Sequence, residues 1–132
     1  MNGGPRDGAA ILVIEDDRVL ASQLQATLIG GGYTAQRAAS AEEALAAIEL
    51  RRVDLILMSL LLPDTDGLIL CSILKDRTAA PIVMMSARCD AVDRALAFES
   101  GAVDWLVTGS IEAGELLSRV QSILQTHVAA PA

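Results

Sequence analysis

Five short aliphatic runs, each followed by a longer segment with helical spacing, constrain this chain more than anything else in it. The runs occupy residues 10–14, 33–38, 55–58, 82–85 and 104–107, and the helical segments residues 18–29, 40–50, 68–75, 90–100 and 111–124. A run such as Leu55-Ile56-Leu57-Met58 shows no apolar–polar alternation, so both of its faces must be covered. Strands that alternate with helices imply a parallel sheet with right-handed crossovers and helices on both sides. The second run is the weakest of the five. Connections are short, which suits one compact unit.

Punctuation residues set the boundaries. Leu20, Leu24 and Leu28 recur one turn apart, and Gly30-Gly31-Gly32 stops that helix. Ser40-Ala41-Glu42-Glu43 reads as a capping box. Pro81 precedes the fourth run, Asp90 caps the helix after it, and Gly101 closes that helix. Leu116, Leu117, Val120 and Leu124 fall on the inward side of the last helix. The pattern reaches a flavodoxin-like α/β domain, (βα)5, with a doubly wound parallel sheet in the order 2-1-3-4-5. Residues 1–9 are rich in Gly and expected to be mobile, residues 10–125 form the domain, and residues 126–132 read as a tail or linker.

Composition narrows the class. Apolar residues make up 52% of the chain and aromatics 2%, so the core is aliphatic. A mean hydropathy of +0.44 is high, and doubly covered strands account for it better than a membrane does. No apolar stretch reaches the ~18–20 residues of a spanning helix, and no basic-then-apolar leader opens the chain. A cytoplasmic location without a membrane partner is expected. The net charge of −7 repels phosphate backbones, so this domain alone is not expected to bind nucleic acid. Cys71 and Cys89 lack metal or redox spacing and read as free thiols, Cys71 on an apolar helix face. No GxGxxG, GxxxxGK or GxSxG spacing occurs, and the one histidine, His127, lies in the tail. No enzymatic activity is expected.

Motifs carry the reading further. Ile11-Leu12-Val13-Ile14-Glu15-Asp16-Asp17 resembles the first strand and acidic pair of response-regulator receiver domains, the CheY-like family. Residues 54–67 resemble that family's phosphoacceptor strand and loop, and Ile82-Val83-Met84-Met85-Ser86-Ala87-Arg88 its fourth strand with the switch hydroxyl, Ser86. Residues 90–107 and Glu115-Leu116-Leu117-Ser118-Arg119-Val120 are similar to the OmpR-type subgroup. Five motifs in order span nearly all of residues 10–125. In that family, acidic residues at the strand ends hold Mg²⁺, an aspartate takes phosphate from a histidine kinase, and a lysine offsets the charge. The resemblance implies two-component signal transduction or a phosphorelay, with transcription regulation through a separate winged-helix half.

Two positions depart from that pattern. Ser59 stands where the resemblance places the aspartate, and Thr108 where it places the lysine; Gly109 replaces the proline that follows. Glu15 and Asp16 keep the acidic pair. A serine hydroxyl needs an adjacent base to act as a nucleophile, and no histidine is at hand. Losing a carboxylate and an ammonium together leaves the pocket's formal charge unchanged. Losing one alone strands its partner, at roughly 3–5 kcal/mol when fully buried. The expectation is an atypical, phosphorylation-independent receiver with a degenerate pocket of Glu15, Asp16, Ser59, Ser86 and Thr108. No cofactor is expected beyond weak Mg²⁺ at Glu15 and Asp16, and the plainer reading of those acids is company for a helix N-terminus. Two other readings stay open: a polar small-molecule module built on that pocket, and phosphorylation at Asp54, Asp64 or Asp66.

The resemblance also implies a partner surface. OmpR-type receivers dimerise through the fourth helix, fifth strand and fifth helix, with cross-subunit ion pairs. Matching motif positions pairs Arg94 with Glu115 and Asp104 with Arg119, around an apolar centre of Ala95, Phe98 and Leu117. Glu99 also matches, but Gln121 replaces its basic partner. The plainer reading is solvated helix charges, each pair worth ~0–1 kcal/mol. A homodimer is the expected assembly, and a histidine kinase or other signalling protein the other expected partner. Trp105 stands at the family's aromatic switch, and the bulk of indole implies one fixed rotamer.

Overall fold

The computed structural model describes residues 8–127. Among them, β1 (Ala10–Ile14), β2 (Thr34–Ala38), β3 (Leu55–Ser59), β4 (Ile82–Ser86) and β5 (Asp104–Val107) alternate with α1 (Arg18–Gly30), α2 (Ala41–Leu50), α3 (Gly67–Lys75), α4 (Ala91–Glu99) and α5 (Ala113–Thr126). Every pairing is parallel, in the order β2-β1-β3-β4-β5. This is the flavodoxin-like arrangement that the alternation implies.

Side chains alternate across the sheet and divide the core in two. Leu12, Ile14, Ile56, Met58, Ile82 and Met84 pack on the side of α2, α3 and α4, with Leu70, Cys71 and Leu74 of α3. Ile11, Val13, Leu55, Leu57, Val83 and Met85 pack on the other side, against Leu24 and Leu28 of α1 and Leu116, Val120 and Leu124 of α5. Each such side chain contributes about 1.5–3 kcal/mol by leaving water. Cys71 is buried and Cys89 exposed, both free as expected. No helix among the described residues is long and apolar enough to cross a membrane.

Short polar side chains start α1 to α4, whereas α5 begins after Glu112 without a side-chain cap. Asp17 accepts from the N–H groups of Val19 and Leu20, Asp66 from Leu68, and Asp90 from Val92 and Asp93. Ser40 accepts from the Glu43 N–H. The reciprocal half of the expected capping box is displaced, since the Glu43 carboxylate takes the N–H of Ala39. Asp64, from the loop after β3, accepts the N–H groups of Ala41 and Glu42. These two bonds, Ala41 first, hold its carboxyl below the usual aspartate range.

Several boundaries differ from the sequence expectation. β3 and β4 each run one residue further, to Ser59 and Ser86, because the ladder continues through Leu60 N–H to Met85 O and Thr108 N–H to Ser86 O. α5 begins at Ala113, since the N–H groups of Ser110 and Ile111 turn back to Val107 O. Gly30 ends α1, and the two glycines after it do different jobs: Leu117 fills the space where a Gly31 side chain would go, and Gly32 takes the left-handed turn at φ +97. Within the segment expected to be mobile, Gly8 donates to Gly32 O at 3.0 Å and Ala9 is buried. Residues 1–7, and residues 128–132 of the tail, lie outside the described residues.

Candidate functional site

Strand order reverses between β1 and β3, whose crossovers leave in opposite directions, and the C-terminal ends of the strands border a crevice there. Glu15 directly follows β1, Ser59 ends β3, Ser86 ends β4 and Thr108 follows β5. These four line one cleft of about 370 Å³, together with Asp17, Arg88 and Asp93. Asp16 does not belong to it. It is exposed and is not among the lining residues, whereas Asp17, whose carboxylate caps α1, is among them.

Gly67 packs closely against the end of β3. Its N–H donates to Leu60 O, and a side chain there would meet the carbonyl oxygens of Ser59 and Leu60 at 2.6 Å. Only a residue without Cβ lets α3 start this close to the end of β3.

Glu15 and Ser59 are the buried polar residues of the described chain, at 6% and 8% exposure. The Ser59 hydroxyl donates to Glu15 Oε1, and the Asp17 N–H donates to Oε2 at 2.9 Å. So the serine that lacks a histidine neighbour does have a carboxylate neighbour, which spacing along the chain did not reveal. Ser86 Oγ accepts the Arg88 N–H at 3.2 Å, and the Thr108 hydroxyl donates to Ser86 O at 3.3 Å.

Arg37 is a further residue that the sequence reading missed. It comes from the edge strand β2, in register with Val13. Its Nε donates to Glu15 O at 3.0 Å and its Nη2 to Asp16 O at 2.9 Å. The available signal was a single cation in the weakest strand run, and only the β1–β2 register connects it to the acidic turn.

These residues do not fit a Mg²⁺ ion, which needs several oxygens in near-octahedral array. Both Glu15 oxygens are taken by protein donors, Ser59 is turned to Glu15, and Asp16 does not line the cleft. Among the described residues, no three carboxylate, histidine or cysteine side chains gather as a cation site.

The aspartates considered as other phosphoacceptors lie elsewhere. Asp54 sits at the opposite end of β3, accepting from Ala10 N–H at 2.7 Å and from Arg52 at 3.0 Å. Asp64 and Asp66 are occupied with the N-termini of α2 and α3.

On the face of α4, β5 and α5, Arg119 Nη1 holds both oxygens of Asp104 at 2.9 Å, and Nη2 reaches Glu115 at 3.4 Å. The Asp104–Arg119 pair expected across a dimer is thus closed within one chain. Arg94 stacks on Phe98, 5.4 Å from the ring centre, where a cation meets the negative face of the ring. Ala95, Phe98 and Glu99 are exposed. Leu117 departs from the expected apolar centre: it packs on Gly31 at the end of α1, on the other flank of α5 from Glu115 and Arg119. Trp105 is 6% exposed, packed in the core with Met84, Ala97 and Ala102. Its Nε1–H finds no acceptor among the described residues.

Comparison with known proteins agrees with this architecture. Residues 11–121 match the family described as response regulator receiver domain. The chain is 37% identical over 122 residues to the DNA-binding response regulator MtrA of Mycolicibacterium paratuberculosis, covering 92% of this chain and 54% of MtrA. It is 36% identical over 114 residues to the TorCAD operon transcriptional regulatory protein TorR of Escherichia coli, covering 86% of this chain and 49% of TorR. It spans about half the length of these relatives. A response regulator structure from Chloroflexus aurantiacus superposes with a TM-score of 0.83 at 35% identity, covering 89% of this chain and 98% of that one. Sheet order, the cleft at its reversal point and these similarities lead to one assignment: the chain belongs to the response regulator receiver domain family.

Proposed function

We propose that this is an atypical receiver that acts by protein–protein contact and takes no phosphoryl group. The observation that carries the reading is the Ser59 hydroxyl, buried and donating to Glu15 in the cleft where the family's acceptor carboxylate is expected. A carboxylate acceptor there needs an unencumbered oxygen and a cation to offset the incoming charge. Ser59 offers neither. The chain's one lysine, Lys75, lies with its stem against Gly101, away from the cleft. Thr108 lines the cleft at the position matched to the family lysine.

The similarity to MtrA and TorR supports a role in transcription regulation, and the proposed setting is the cytoplasm, with this domain itself making no contact with DNA. The acidic charge of −7 disfavours such contact. The proposed assembly is a homodimer through α4, β5 and α5, centred on Ala95 and Phe98, with Leu117 left to the fold. A histidine kinase or other signalling protein is the second proposed partner. No cofactor is proposed, and no enzymatic activity.

Intact-mass and peptide measurements after acetyl-phosphate treatment test the reading. We expect no added phosphoryl group and no beryllofluoride-induced change in Trp105 fluorescence. A saturable response, or phosphate on Asp54, Asp64 or Asp66, would overturn it. Ser59→Asp combined with Thr108→Lys is expected to regain phosphoacceptance, and Ser59→Asp alone to do so poorly.

A further inference from the structure

We propose that Ser59 and Arg37 form an internal clamp that takes the structural place of a divalent cation, holding the acidic turn after β1 in one state whatever the Mg²⁺ concentration. The inference rests on the phosphotransfer-free reading and names how the same cleft is set.

A buried carboxylate is costly unless its charge is met by donors or a cation. Glu15 is 6% exposed and meets two donors from its own chain, the Ser59 hydroxyl and the Asp17 N–H. The turn behind it is held as well. Arg37 puts a guanidinium on the carbonyls of Glu15 and Asp16, two residues that adjoin in sequence, through two different nitrogens. Such a planar fork fixes direction as well as charge, which a lysine ammonium does not. The two contacts approach from opposite sides in the sheet order, Ser59 from β3 and Arg37 from β2, with β1 between them. Glu15 is therefore gripped from both neighbouring strands, and Asp16 from β2 alone. A cation that bridged β1 to β3 would do no more for the geometry. In contrast, an aspartate at position 59 would set a second carboxylate against Glu15, and only an added cation or a proton could relieve the repulsion.

Ser59 and Arg37 act here as positioning residues, so the test reads metal dependence as well as stability. Melting temperatures of the whole chain are measured in saturating Mg²⁺ and in EDTA. Wild type is expected to melt at the same temperature in both. Arg37→Ala is expected to fall by roughly 5 °C in either condition, and Arg37→Lys to recover part of that loss through one remaining bond. Ser59→Asp is expected to melt lower than wild type in EDTA and to regain much of the difference in Mg²⁺. A saturable Mg²⁺-induced rise in wild type overturns the clamp. So does an Arg37→Ala variant that melts like wild type, or a Ser59→Asp variant that folds equally well in EDTA. If Ser59→Asp does not fold, the wild-type and Arg37 comparisons still decide. The intact-mass measurement with acetyl phosphate keeps the two claims apart: a Mg²⁺-stabilised but unphosphorylated wild type sinks the clamp alone, whereas phosphorylation sinks the reading beneath it.

Discussion

α1 buries Ala21, Leu24 and Leu28 against the sheet and leaves Val19 and Ile29 exposed, whereas α4 buries Ala97 alone and leaves Val92, Leu96 and Phe98 exposed. The regions beside these helices differ in the same sense. Next to α1, the cleft has its buried polar groups bonded to one another, Ser59 to Glu15 and Glu15 to the Asp17 backbone. Next to α4, the Trp105 indole N–H is buried without an acceptor among the described residues, and Arg94 rests on an exposed Phe98 ring. Self-satisfied groups have little left to offer a ligand. Half-anchored apolar groups gain by being covered. The contrast fits the proposal that partner contact is made at the α4 face.

The largest expected effect lies on the cleft side. Gly67→Ala should cost about 2–3 kcal/mol by urea unfolding, because a methyl would press on the carbonyl oxygens of Ser59 and Leu60. A loss well under 1 kcal/mol would mean that the end of β3 yields, and the contrast with α4 would weaken.

Next comes Arg119→Glu, which deletes the fork on Asp104 and sets a like charge beside Asp104 and Glu115. Arg119 is 40% exposed, so solvent screening limits the loss to about 1 kcal/mol. Sedimentation should also show weaker self-association than wild type at high concentration. Wild type that stays monomeric throughout would remove the dimer from the proposal.

Trp105→Phe should change stability by no more than about 1 kcal/mol. It loses packed volume, but it also removes a buried donor without a partner, a defect of roughly 1–3 kcal/mol. A loss of several kcal/mol would show that packing of the indole outweighs its unmet N–H.

The smallest effect is expected at Asp64, which is fully exposed and caps α2. Its carboxyl is held below the usual range by the Ala41 and Glu42 N–H groups. The charge therefore favours the folded state at neutral pH, and that benefit fades as pH falls through the depressed value. Melting curves of wild type and Asp64→Asn should differ most near neutrality and converge in acid. A gap that widened in acid would reverse the assignment.

Legibility in the sequence followed the range of the interactions. Strand runs, caps at Asp90 and Ser40, and the helix stop after α1 were readable, because each depends on residues a few positions apart. The cleft was readable in part: Glu15, Ser59, Ser86 and Thr108 were placed by motif, and the sheet brings them together. Asp16 does not join them: three adjacent acids look equivalent on paper, yet only Glu15 and Asp17 line the cleft. Leu117 was misplaced for a similar reason. Its helical spacing allows either flank of α5, and Gly31, far away in sequence, is what makes room for it.

By itself, the sequence determined five doubly covered strands alternating with helices, since runs without apolar–polar alternation must be buried on both faces, and its motifs, through the family resemblance, pointed to which strand ends converge. Only the tertiary structure decided who satisfies whom. The Ser59–Glu15 bond, the Arg37 grip and the closing of Asp104 onto Arg119 join residues 44, 22, 21 and 15 positions apart. Hydrogen bonds are directional and short, and no pattern along a chain fixes partners at that range until the strands are laid side by side.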